Sequence, residues 1–263
     1  MTHNTRRSFL VWLTALVALV LSPALAWAAQ PDPSSPTFAR DVMRKLDDQY
    51  RGEKSHAKMK MEIKTAHWTR KLTMEAWSLG KHHSLVRILK PAKEKGTATL
   101  KAKDDLFTYL NKTGRTIKIG SAMMGSSWMG SHFTNDDLIR HTRLSRDYHI
   151  KTTFDGAKEG VGVYQFTLTP KPDAPVVWGK LVVTIRKSDL EPLRQVFYDE
   201  DGAAVREMVF SDHKSIDGRV VPLKMEVRPL DGSGEYTRIT YKSLDFGVKL
   251  DKSFFSLQKL KSM

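Results

Sequence analysis

A handful of residue groupings in this chain could do chemistry, and spacing tests each of them. Gly125-Ser126-Ser127-Trp128-Met129 begins like the G-x-S-x-G turn that exposes a nucleophilic serine, but methionine stands where the second glycine is needed. Asp212-His213 offers an acid–base pair, yet neighbours on a strand point to opposite faces. Asp136 and Asp137 with His141 could do similar work. Asp137 and His141 are four apart on an expected helix, where an ion pair is the commoner use of that spacing. The chain has nine histidines, but none stands in H-E-x-x-H or comparable spacing, and His82-His83 diverge on a strand. Met59 and Met61, with Met123, Met124 and Met129, could offer soft sulfur to copper. The first pair alternates with lysines, which makes it core or cavity wall instead. No phosphate loop or dinucleotide fingerprint occurs. The sequence thus reads as a non-enzyme with no catalytic residue, no metal and no cofactor.

The chemistry that remains is binding. Two short strands, Gly96 to Lys101 and Asp105 to Asn111, lead through a polar, basic strand edge into a loop carrying Met123, Met124, Trp128, Met129 and Phe133. Gly125 and Gly130 punctuate it. This loop is too apolar for an ordinary surface connection and too rich in Gly and Ser for a packed helix. Large, soft side chains on a flexible segment suit a cover over an apolar cavity. Packing of the same side chains in an ordinary core stays open as the alternative.

The elements that must position this loop are mostly strands. Ala57, Met59, Met61, Ile63 and Thr65 alternate with Lys58, Lys60, Glu62 and Lys64, predicting a half-buried strand with the lysines outside. Leu72 to Leu79, which includes Met74, and Ser84 to Leu89 continue the meander. Further strands are expected over 161–169, 179–186, 193–199, 205–213, 220–228 and 235–243. Asp155-Gly156, Asp201-Gly202, Asp217-Gly218 and Asp231-Gly232 supply turn chemistry. Ser35-Pro36 opens a helix over 37–51, with Phe38, Val42, Leu46 and Tyr50 on one face and Gly52 as its stop. Thr134-Asn135-Asp136-Asp137 fits a capping box before Leu138, Ile139 and Leu144. Together these predict a mainly β (α+β) domain, a large antiparallel sheet curled into a barrel or half-barrel. The two helices are the plugs for its concave face.

Residues 1–28 read as a cleavable export signal: Arg6-Arg7, the apolar run Leu10 to Leu21, then Ala26-Trp27-Ala28. The arginine pair suits an ordinary secretory signal and a twin-arginine signal alike. A Pro-rich lead follows over 29–36, then a single domain over 37–263. There are no cysteines, so the fold relies on its core rather than on disulfides. The formal net charge is +14, and +12 without Arg6 and Arg7. In an exported, periplasmic protein that charge favours anionic membrane surfaces over nucleic acid. A solvated basic surface with no partner is the plainer alternative.

Pro91, Lys95-Gly96-Thr97, Leu100, Leu106-Phe107-Thr108-Tyr109-Leu110, Met129-Gly130-Ser131 and Asn135-Asp136-Asp137-Leu138 follow one another in an order that resembles the outer-membrane lipoprotein-sorting family. Asp245-Phe246-Gly247-Val248 through Phe254-Phe255, Leu257 and Leu260 is similar to that family's last strand and tail. Phe107 and Asn111 depart from it, standing where tryptophan and proline are expected. No residue matches the acyl-binding arginine of the typical carrier. The resemblance implies an unclosed β-barrel with helices as a lid over an apolar cavity for acyl chains, and an inner-membrane exporter as partner.

Hiding a lipid chain from water is worth about 0.8 kcal/mol per methylene. A cavity of roughly 300–1,000 Å³ covers most of a ligand with one or two chains. The expected function is therefore a monomeric periplasmic carrier of lipid or lipoprotein acyl chains. Met59, Met61, Ile63, Leu72 and Met74 would form its wall, with Phe107 and Tyr109. Met123, Met124, Trp128, Met129, Phe133 and Leu138 would form its lid. An envelope sensor or accessory subunit of the same fold, binding a protein partner, is the alternative.

Overall fold

The computed structural model describes Met1 and residues 31–49, 53–140 and 144–262. Apart from Met1, the expected export signal lies outside the described residues, as do Tyr50, Arg51, Gly52 and His141. The chain divides into Met1–Pro31 and Asp32–Met263, and among the described residues the strands and helices belong to the second unit. Among the described residues no helix is long and apolar enough to cross a membrane.

Period-two alternation in the sequence becomes one face of a sheet. In β1 (Lys54–Lys64), Ala57, Met59, Met61 and Ile63 are buried while Lys58, Lys60 and Lys64 are turned outward. Strands β2 (Thr69–Leu79), β3 (His83–Lys90), β4 (Ala98–Ala102), β5 (Asp105–Leu110) and β6 (Arg115–Ile119) add to it by successive antiparallel hairpins. A second meander runs from β7 (Tyr148–Lys158) through β8 (Val161–Pro170), β9 (Lys180–Arg186), β10 (Pro192–Tyr198), β11 (Ala204–Ile216), β12 (Arg219–Pro229) and β13 (Tyr236–Asp245). β13 then pairs with β1, giving thirteen strands among the described residues in the order 6-5-4-3-2-1-13-12-11-10-9-8-7. The sheet does not close: β6 and β7 are its edges, as an unclosed barrel requires.

Among the described residues, four α-helices accompany the sheet. On α1 (Phe38–Gln49), Phe38, Val42 and Leu46 are buried at the predicted four-residue spacing. The expected second helix is two pieces, α2 (Asn135–Arg140) and α3 (Leu144–Asp147). Thr134 and Asp137 make the predicted capping box: the Thr134 amide donates to Asp137 Oδ2 (2.7 Å), and the Asp137 amide to Thr134 Oγ1 (3.3 Å). At the C-terminus, α4 (Leu257–Lys261) folds Leu260 and Phe255 against Leu85, Ala98 and Leu100 on the convex face.

One predicted turn is corrected. Asp155-Gly156 lies inside β7, where Gly156 pairs with Val163 and the Phe154 ring lies across it, 2.8 Å from where a Cβ would stand. The hairpin turns at Glu159-Gly160 instead, both at positive φ (50° and 78°), as a two-residue loop demands. The β7 strand itself carried no alternation because it is an edge strand, exposed or half-exposed over nearly all its length.

Asp47 ties the two helical regions together. Its carboxylate accepts the amides of Leu144 (3.2 Å) and Ser145 (3.1 Å) and the Ser145 hydroxyl (2.6 Å). Burial pushes its pKa up, against the pull of Ser145, Leu144 and Lys81. The folded protein therefore holds this proton more tightly than the unfolded chain does. The group's contribution to stability should fall as pH rises from the ordinary carboxylate range through the raised value. The urea-stability difference between the native protein and Asp47→Asn should shrink over that window. A difference that grows with pH would show that the hydrogen bonds, not burial, control this carboxyl.

Candidate ligand cavity

Because β6 and β7 are opposite edges of one open sheet, the chain between them, residues 120–147, has to travel across it. The Met/Trp loop and α2 are that crossing. Trp128 donates from Nε1 to Thr99 Oγ1 on β4 (3.0 Å). Arg70 on β2, paired with Glu94, donates to the Met129 carbonyl (2.7 Å). The His132 amide donates to Thr237 Oγ1 on β13 (3.0 Å), and Arg206 on β11 donates to the His132 carbonyl (2.8 Å). Four strands thus hold the loop by polar contacts. Internally, the Trp128 amide donates to the Phe133 carbonyl (2.7 Å), and Met129 and Gly130 take positive φ (53° and 69°). This tight knot turns the Trp128 and Phe133 rings the same way, toward the sheet.

Beneath it lies an apolar cavity of about 160 Å³. Its floor is Ala57 and Met59 of β1, Ala76 of β2, Val86 of β3, Met208 of β11, Val221 and Met225 of β12, and Ile239, Tyr241 and Leu244 of β13. Trp128, Phe133, Asp137 and Leu138 form its roof. Ser55, Ser78 and Ser84 line its polar end, where the Ser55 and Ser78 hydroxyls share a hydrogen bond of 2.6 Å. A second void of about 530 Å³ lies on the other side of Trp128, lined by Ile88, Thr108, Leu110, Ile117, Met123 and Met129. Trp128 lines both.

The predicted site residues fall into five groups. Met59, Trp128, Phe133 and Leu138 line the cavity, while Met123 and Met129 line the second void. Met61, Ile63, Leu72 and Met74 are buried in the main core. Met124 packs with Leu106 and Ile119, and Phe107 and Tyr109 sit on the convex face against the C-terminal tail. That last placement corrects the expected wall: on β5 it is Leu106, not its neighbour Phe107, that points inward. Trp128 is 3% exposed and hydrogen-bonded, so it is core and roof at once.

Sequence reasoning missed Arg206. Its guanidinium meets Asp137 with two bonds (Nη2 to Oδ1 2.6 Å, Nη1 to Oδ2 2.9 Å), and both side chains are buried. It also stacks on Trp178 (4.3 Å) and Phe197 (4.0 Å). Asp137, expected as a cap with a possible His141 partner, therefore spends its charge on Arg206. The signal was available: Arg206, Met208 and Phe210 share one strand face, and a cation on an apolar face needs a buried partner. Asp212-His213 is not a dyad. The His213 Nε2 meets the Pro192 carbonyl (3.0 Å), while the exposed Asp212 faces Lys214 (3.5 Å).

Solved structures share this fold. One is a DUF1329 family protein from Desulfovibrio piger (TM-score 0.77, 23% identity, 84% of this chain and 97% of that one). Another is a domain from Vibrio parahaemolyticus provisionally named an outer membrane lipoprotein-sorting protein (0.76, 25%, 85% and 98%). A third is a LolA superfamily protein from Nitrosomonas europaea (0.71, 19%, 84% and 98%). No curated protein matches the sequence. Residues 80–262 match the model of a family described as uncharacterized proteins, and the chain belongs to that family.

The Arg206–Asp137 pair yields a measurable coupling. Arg206→Gln strands a buried carboxylate and should cost about 3–5 kcal/mol in urea denaturation. A double-mutant cycle with Asp137→Asn should return a coupling of roughly 0.5–3 kcal/mol. Additive losses would show that the strap does not depend on this pair.

Proposed function

We propose that this protein is a carrier that hides an acyl chain of a lipid or lipoprotein beneath the strap of residues 120–140. The carrying observation is that Trp128 lines two voids on the inner side of the sheet. A void of about 150 Å³ admits a ring the size of benzene, so the 160 Å³ cavity takes only a few carbons as it stands. Joined to the 530 Å³ void, it falls within the roughly 300–1,000 Å³ of ordinary ligand sites. Loading then means lifting the Trp128–Phe133 knot from Thr99, Arg70 and Thr237, exchanging polar anchors for a chain worth about 0.8 kcal/mol per methylene.

The shared architecture with a lipoprotein-sorting domain supports this reading. So does the export-signal pattern, which would place the mature protein in the periplasm, between an inner-membrane exporter and an acceptor. The outward lysines of β1 would favour anionic headgroups on either membrane.

Trp128 cannot be truncated cleanly: loss of a buried tryptophan costs about 3–5 kcal/mol. Filling the cavity avoids that cost. Ala76→Leu adds bulk where the floor faces empty space, so it should leave the melting temperature unchanged or raised. It should weaken a fluorescent fatty acid by about tenfold, the effect of one blocked anchor of roughly 1.4 kcal/mol. Undiminished binding in this variant, or no binding by the native protein, would favour a partner-binding accessory with an ordinary core.

A further inference from the structure

A third pocket, of about 630 Å³, lies where β1, β2, β3 and the β4–β5 turn end together. Lys54, Lys103, Arg146 and Lys252 line it, with His82 and His83. Two backbone bonds assemble it: the Gly80 amide donates to the Glu53 carbonyl (2.7 Å), and the Lys103 amide to the His82 carbonyl (2.7 Å). Its basic side chains come from five separate parts of the chain: lysines or arginine from the start of β1, the β4–β5 turn, α3 and the C-terminal tail, and the two histidines from the β2–β3 turn. Two carboxylates, Glu53 and Asp104, are the acidic members of the lining, so four fixed cations face two acids. Arg146 also contacts Asp147 (3.3 Å). The crowding is felt by His83, whose protonation is disfavoured by burial and then by His82, Lys252, Lys103 and Lys101.

This pocket adjoins the polar end of the apolar cavity. Lys54 precedes Ser55, Leu79 follows Ser78 and His83 precedes Ser84, so one peptide step of about 3.8 Å separates the two linings on each strand. Alternation turns the serines inward and their neighbours outward. The basic pocket therefore wraps the rim of the sheet, where a chain seated among Ala57, Ala76 and Val86 would emerge.

We propose that this rim pocket receives the phosphate-bearing headgroup of a lipid whose chain occupies the cavity. The proposal rests on the carrier reading and narrows its cargo. Convergent lysines with an arginine and imidazoles match a compact dianion, which takes several charge-assisted hydrogen bonds at once.

The test compares a lysophosphatidate with the monoacylglycerol of the same chain, by displacement of a fluorescent fatty acid. The lysophosphatidate should bind about tenfold more tightly, the effect of a single charge-assisted hydrogen bond. The triple variant Lys54→Gln, Lys103→Gln, Lys252→Gln should erase the preference and leave monoacylglycerol affinity unchanged. Equal affinities in the native protein, or a preference that survives in the variant, would overturn the proposal. Calorimetry with inorganic phosphate alone separates the sources: affinity matching that of the lysophosphatidate would make this a free-phosphate site and overturn the headgroup assignment. If neither lipid displaces the probe, the carrier reading itself fails.

Discussion

The structure turns on a constraint of topology. Two antiparallel meanders meet at β1 and β13, which leaves β6 and β7 as the edges of one thirteen-stranded sheet. The chain has to pass between those edges once, and it does so across the concave face. That face is apolar and exposing it is costly, at about 25 cal/mol per Å². The crossing segment therefore has to be apolar on its underside, which accounts for methionine, tryptophan and phenylalanine in a stretch otherwise rich in Gly and Ser.

The strap is held differently from an ordinary core segment. Its apolar side chains rest on a floor that stops short of filling the space beneath them, while its backbone is anchored by side chains of β2, β11 and β13 and its indole by Thr99 of β4. Polar anchors are directional and break within a short displacement, whereas apolar burial is indifferent to what fills the space. Arg206 is the costliest of these anchors to break, because its partner would be left as a buried, unpaired charge. Its guanidinium also lies against the Trp178 and Phe197 rings.

The sheet was legible in the sequence wherever exactly one face is covered. On β1, lysines alternate with buried residues, so the pattern declares both the strand and its inner side. On β5 both faces are covered, Leu106 by the strap side and Phe107 with Tyr109 by the tail, and the parity is lost. On β7 neither face is well covered, so no period appears at all. The roof of the cavity was legible as an odd composition, but most of its floor was not. Met208, Met225 and Ile239 reach it through the pairing of β13 with β1, a contact between distant parts of the chain that no local pattern encodes. The rim pocket was hidden for the same reason, since its four lysine and arginine side chains come from four separate segments.

Mass spectrometry of an organic extract tests the central claim most directly, using mature protein purified from the cell envelope without detergent. A carrier with this strap should yield about one acylated molecule per chain, the stoichiometry that a single apolar face under one strap permits. Protein that comes away empty, and that then fails to take up a fluorescent fatty acid, would contradict the account and leave Trp128 and Phe133 as core.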